Sequence, residues 1–204
     1  MVLDNQPTAD VSIAVSSSDT SEATISPSSL TFGSSNYSTL QTVTVTGVDD
    51  FYDDDNVSYT ITVDPSSSIA SYNTMTSSTV TGSNIDNDTA AIAVGAKSGN
   101  TSEFGTTATI NVTLATIPTA NVSIVVTDND STEVSITPTT LTITPSTWNT
   151  TNQVTLTGQD DSDNDGNITF RISFDNATST DSKYNGMAPS PANVDVINVD
   201  DYAD

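Results

Sequence analysis

Cysteine and histidine are both absent, and only three basic residues, Lys97, Arg171 and Lys183, stand against 26 acidic ones. Without Cys or His there is no thiol nucleophile, no Ser-His-Asp relay, no imidazole acid or base, no zinc site of the usual kind and no disulfide framework. The formal charge of −23 leaves almost nothing to meet a phosphate backbone, which excludes nucleic acid and anionic membrane surfaces as partners. Long apolar runs are missing as well. None approaches the roughly 20 residues of a membrane span, and the opening MVLDNQ has neither the basic nor the apolar region of a signal peptide. The expectation is a soluble piece of a larger protein, with no membrane insertion.

Apolar residues make up 34% of the chain, close to the disordered class at this charge, so order has to be argued from pattern. Val11, Ile13 and Val15 alternate with polar residues, as do Val57, Tyr59, Ile61 and Val63, then Ile110, Val112 and Leu114, then Ile168, Phe170, Ile172 and Phe174. A period of two marks strands with one buried face, and the Thr and Val that fill these runs suit a pleated sheet. No segment has convincing helical spacing.

The chain also repeats itself. Residues 7–50 superimpose on 118–161 at a constant offset of 111, without a gap, and 21 of the 44 positions are identical. PTADVSIAV answers PTANVSIVV, Glu22 answers Glu133, Tyr37 answers Trp148, and VTVTGVDD answers VTLTGQDD. Further on, Tyr72-Asn73 answers Tyr184-Asn185 and Asn84-Ile85-Asp86 answers Asn198-Val199-Asp200. Two homologous β modules follow, 1–88 and 89–204, each full copy holding about seven short strands in an antiparallel sandwich. Met1 aligns with Val112, so the first module has no counterpart of residues 89–111 and is expected to be an incomplete sandwich. Its open sheet edge invites patching by a neighbour, local rearrangement or self-association through edge strands.

Of the acids, 23 are Asp, the shorter residue favoured by tight turns and chelating loops. Asp49-Asp50 and Asp160-Asp161 each follow a strand ending in Thr-Gly and open a loop holding more acid: Asp53, Asp54 and Asp55 in one copy, Asp163 and Asp165 in the other. Crowding four or five carboxylates into about seven residues raises self-repulsion that a divalent cation would relieve. Oxygen ligands without nitrogen or sulfur select Ca²⁺ or Mg²⁺, and an irregular set drawn from several loops suits Ca²⁺. Solvated turns are the bland alternative. The run from Asp161 to Gly166 imitates the opening of an EF-hand loop, but Ile172 stands where that loop needs a bidentate Glu. The acid clusters sit in open turn segments with few aromatic neighbours, which argues against a glycosidase-like pair and against an enzyme altogether.

Ser102-Glu103-Phe104-Gly105, Glu133 eight residues before Leu141, Asp160-Asp161 and Asp200-Asp201, taken in order, resemble the acidic landmarks of the Calx-beta family. That family comprises calcium-binding sandwiches found in sodium/calcium exchangers and many bacterial surface proteins. In the first copy the matching residues are Glu22, Asp49-Asp50 and Asp86-Asn87-Asp88. The resemblance implies an all-β, Ig-like fold and calcium at one end of each module. The ligands are expected among Glu22, Asp49, Asp50, Asp53, Asp55, Asp86 and Asp88 in the first copy. In the second they are expected among Glu103, Glu133, Asp160, Asp161, Asp163, Asp165, Asp200 and Asp201. Here the sequence departs from the family, with Glu for Asp at 22 and 133. The implied role is a calcium-stiffened spacer, joined to neighbouring repeat modules, in an extracellular or cell-surface bacterial protein such as an adhesin. A calcium sensor and a glycan-binding or adhesive tip are the competing readings. Tyr37 and Trp148, each without an aromatic neighbour in sequence, are expected to cover the core and not to stack on a sugar. Asp128 and Asp130 read as turn residues.

Overall fold

The computed structural model describes residues 1–160 and 165–200. It is all-β, with one short helical turn, and divides into two compact units: Met1–Asp50 with Asp54–Asn87, and Phe51–Asp53 with Asp88–Asp204. The junction thus falls one residue earlier than the repeat suggested, and three residues of the first acidic loop count with the second unit. The reason is local bonding. Phe51 O accepts the Ile117 N–H at 2.8 Å, the Phe51 ring lies 5.7 Å from that of Trp148, and Asp53 bonds Ala90 and Lys183.

Unit 1 holds β1 (Val11–Ser17), β2 (Ala23–Ser26), β3 (Ser29–Phe32), β4 (Thr44–Gly47), β5 (Val57–Ser67), α1 (Ala70–Asn73) and β6 (Ser78–Asn84). One antiparallel sheet runs β3-β1-β5-β6, and β2 pairs with β4. The alternation seen in the sequence becomes burial directly: Val11, Ile13 and Val15 point inward from β1 while their neighbours face out. They meet Leu30, Phe32 and Ile61 in a small core.

Unit 2 contains β7 (Ile92–Val94), β8 (Thr101–Ser102), β9 (Thr107–Leu114), β10 (Val122–Asp128), β11 (Val134–Thr137), β12 (Thr140–Ile143), β13 (Asn152–Gly158), β14 (Ile168–Phe174) and β15 (Asn193–Val199). Its sheets run β12-β10-β14-β15-β8 and β11-β13-β9-β7, and side chains from both form one core. Nine strands among the described residues exceed the seven expected, because two of them are only two and three residues long. The pairing is not wholly antiparallel either. β8 lies parallel to β15, Thr101 against Asn198 and Ser102 against Val199.

Strands β1–β6 correspond in order to β10–β15, and the registers agree: Val11 faces Phe32 as Val122 faces Ile143. The units differ beside β4. In unit 2, β13 sits between β11 and β9, and Leu156 is fully buried; its counterpart Val45, on a strand paired only with β2, is 39% exposed. Among the described residues, no helix is long and apolar enough to cross a membrane.

Candidate metal centre

Four segments of unit 1 converge at one end. After β1 the chain turns on Asp19, whose Oδ1 accepts the Ser21 N–H at 3.0 Å, and Ala23 N–H returns to Asp19 O. This tight turn delivers Glu22, 7% exposed, to the start of β2. β4 ends at Gly47, Val48 N–H donates to Glu22 O at 3.0 Å, and Asp50 follows. The approach to β5 brings Asp54. One carboxylate oxygen from each of Glu22, Asp50 and Asp54 lies within 4.8 Å of the others.

The fourth segment, at the end of β6, fixes this arrangement. Asn84 Nδ2 donates to Glu22 Oε2 at 3.2 Å and to Val48 O at 2.6 Å. Asp86 Oδ2 accepts the N–H groups of Asp54 and Asp55 at 3.1 and 2.9 Å, and Asp86 N–H donates to Asn56 Oδ1 at 3.0 Å. Desolvation, then the charges of Glu22, Asp50 and Asp86, push the Asp54 carboxyl above its ordinary value.

Unit 2 repeats the frame. Asn198 Nδ2 donates to Glu133 Oε2 and to Gln159 O, both at 3.1 Å, and Gln159 N–H donates to Glu133 O. Asp200 Oδ2 accepts the Gly166 N–H at 2.8 Å, and Asp200 N–H donates to Asn167 Oδ1. Gly166 has φ +77° and the aligned Asp55 has φ +64°, so the loop turns through the left-handed region in both copies, on Gly in one and on Asp, which tolerates it better than most side chains, in the other. Glu133 and Asn198 are buried, and Asn198 Oδ1 has no hydrogen-bond partner among the described residues. A buried orphan acceptor is costly and rare. The parallel β8–β15 pairing places Glu103, 5% exposed, beside Val199, whose carbonyl accepts the Glu103 N–H at 3.0 Å.

Of the ligands expected from sequence, Glu22 and Asp50 thus come together. Asp54, part of the acidic run but not among those chosen, joins them, whereas Asp53 does not. Asp53 Oδ1 pairs with Lys183 Nζ at 2.6 Å and Asp53 Oδ2 accepts the Ala90 N–H at 2.8 Å; the lysine bond holds this carboxyl below the usual range. The repeat carried the signal for this exchange: position 54 aligns with Asp165, position 53 with Asn164. Asp49, Asp55, Asp160 and Asp165 are exposed, and Asp88 is half-buried. Asp86 and Asp200 spend a carboxylate oxygen on loop N–H groups, acting as latches. Asp161, Asp163 and Asp201 lie outside the described residues. Asp130 is a turn residue, its Oδ1 accepting from Thr132. Trp148 packs on the core, and Phe51 beside it is an aromatic neighbour that chain order did not reveal.

No family model matches the chain, and no curated protein matches it. Among solved structures it is similar to the S-layer protein rSbsC, at 16% identity and a TM-score of 0.33, and to surface layer protein SbsC, domains 1-6, at 16% identity and a TM-score of 0.31. In both cases the match covers 92% of this chain and 20% of the other, so the chain spans about a fifth of those proteins. Likeness this slight carries no argument about function.

Proposed function

We propose that the chain is a non-enzymatic pair of calcium-binding, Calx-beta-like β-sandwich modules serving as a stiff extender in a bacterial surface or secreted protein. The observation that carries this reading is the convergence of Glu22, Asp50 and Asp54 within 4.8 Å. The donor chemistry fits a hard divalent cation, since every side-chain ligand available is an oxygen. Asn198 Oδ1 beside Glu133 in the second unit is an independent sign, because it is a buried acceptor without a partner among the described residues.

Glu22, Asp50 and Asp54 would hold the ion in unit 1, with Asn84 orienting Glu22 and Asp86 fixing the loop backbone. In unit 2, Glu133 and Glu103 would contribute, with Asn198 and Asp200 in the matching supporting places. Bound calcium supplies the countercharge that lets these carboxylates stay close. The protein's own contribution is to tie the ends of three strands and one turn to a single point, which suppresses local opening of the loops. The repetition itself suits spacing better than recognition.

Isothermal titration in calcium and thermal melts in excess chelator test the reading. Affinities on the order of 10⁻⁴ to 10⁻³ M, typical of extracellular modules, and a lower melting temperature in chelator are expected. An unchanged melt would refute it, and submicromolar affinity would point to a sensor.

A further inference from the structure

The acidic loop of the first copy is shared out in an unusual way. Asp50 and Asp54 meet Glu22 in unit 1, yet residues 51–53 between them count with unit 2. Four interactions hold that tripeptide. Phe51 O accepts the Ile117 N–H at 2.8 Å, and the Phe51 ring lies 5.7 Å from that of Trp148. Asp53 Oδ2 accepts the Ala90 N–H at 2.8 Å, and Asp53 Oδ1 pairs with Lys183 Nζ at 2.6 Å, the two side chains being 15% and 29% exposed. Lys183 is one of three cations in a chain with 26 acids. At the aligned positions of the second copy stand Ser162 and Asn164, which offer neither an aromatic ring nor a carboxylate, so this anchor is chemistry of the first loop alone.

Phe51 is peptide-bonded to Asp50 and Asp53 to Asp54. Holding the tripeptide therefore limits where the two flanking carboxylates can go, while Asp86 fixes the next stretch through the N–H groups of Asp54 and Asp55. An ion that draws Asp50 and Asp54 together then meets a loop already ordered, and less conformational freedom is lost on binding.

We propose, on the reading that Glu22, Asp50 and Asp54 hold calcium, that Lys183 is a positioning residue for that site, acting through Asp53, and that ion and anchor assist one another. The coupling is reciprocal: the factor by which the anchor raises calcium affinity is the factor by which calcium tightens the hold on residues 51–53. The sign separates positioning from simple charge. Through charge alone, removing a lysine would tighten calcium, because like charges repel; through positioning, its removal weakens calcium.

The test is a calcium titration of the whole 204-residue chain, followed by NMR at the Val48 and Asp54 amides of unit 1. Lys183→Met and Phe51→Ala should each weaken calcium there by about fivefold or more with the number of bound ions unchanged, and Lys183→Arg should restore most of the affinity. In the native chain calcium should slow amide exchange at Ala90 and Ile117, the two backbone donors to the anchored segment, and Asp54→Asn should abolish that slowing. Equal or tighter binding by Lys183→Met overturns the proposal and leaves the calcium site standing. So does exchange at Ala90 and Ile117 that ignores calcium the native chain has bound. A native chain that takes up no calcium overturns both readings.

Discussion

Replacing Asp54 with Asn should have opposite effects on unit 1 with and without calcium. Asp54 faces Glu22 and Asp50 with oxygens within 4.8 Å, where two like charges in water repel by about 0.9 kcal/mol. Asp54 is exposed, so the water value applies and salt reduces it further. Removing this charge in chelator should stabilise unit 1 by about 1 kcal/mol at low ionic strength. The pH dependence has a definite sign. A carboxyl whose folded value is raised binds protons more readily in the native state, so the native protein loses stability as pH rises from the unfolded value through the raised one. The Asn variant should lack that loss.

Calcium reverses the ranking. With a dissociation constant of about 10⁻³ to 10⁻⁴ M, about 10 mM calcium stabilises the native protein by roughly 1.4 to 2.7 kcal/mol. The variant forfeits most of this gain. Calorimetry in chelator and in calcium reads both arms, at about 4–8 °C per kcal/mol for a unit of this size. Hydrogen exchange at β2 and β4 assigns the change to unit 1. Equal calcium increments in the two proteins, or the same sign of difference in both conditions, would refute the reasoning.

Tyr184→Phe should cost unit 2 about 2–4 kcal/mol in chemical denaturation, because the buried Tyr184 hydroxyl bonds the N–H, carbonyl and hydroxyl of Thr116, all left unpaired without it. Gly158→Ala should be far more damaging than Gly47→Ala. A Cβ at 158 would strike both the Ser102 backbone carbonyl and the Asn198 side chain, at about 1–3 kcal/mol or more, whereas one at 47 meets only the Asn84 side chain. Lys183→Met should destabilise unit 2 by about 1–2 kcal/mol at neutral pH by stranding the mostly buried Asp53. Since the Asp53 carboxyl is lowered in the folded state, the difference from the native protein should shrink as pH falls through that value, which urea melts across pH 2–7 would show.

The sequence by itself determined the strands and the repeat. Alternation with period two is a local property of an extended chain, so Val11, Ile13 and Val15, or Ile110 and Val112, announce a buried face before any partner is known. The 111-residue offset foretold matching registers, because homologous strands bury homologous residues. It also held the clue that position 54, not 53, keeps its acid in both copies. Tertiary structure alone decided which carboxylates meet. Asp53 and Asp54 are neighbours in sequence, yet backbone direction sends one to Lys183, 130 residues away, and the other to Glu22 and Asp50. The parallel β8–β15 pair that sets Glu103 in place, the Phe51–Trp148 contact and the orphaned Asn198 oxygen are equally invisible in the chain order. A side chain's period is written in its nearest neighbours, whereas the company of a turn residue depends on how distant strands pair and where their ends fall in space.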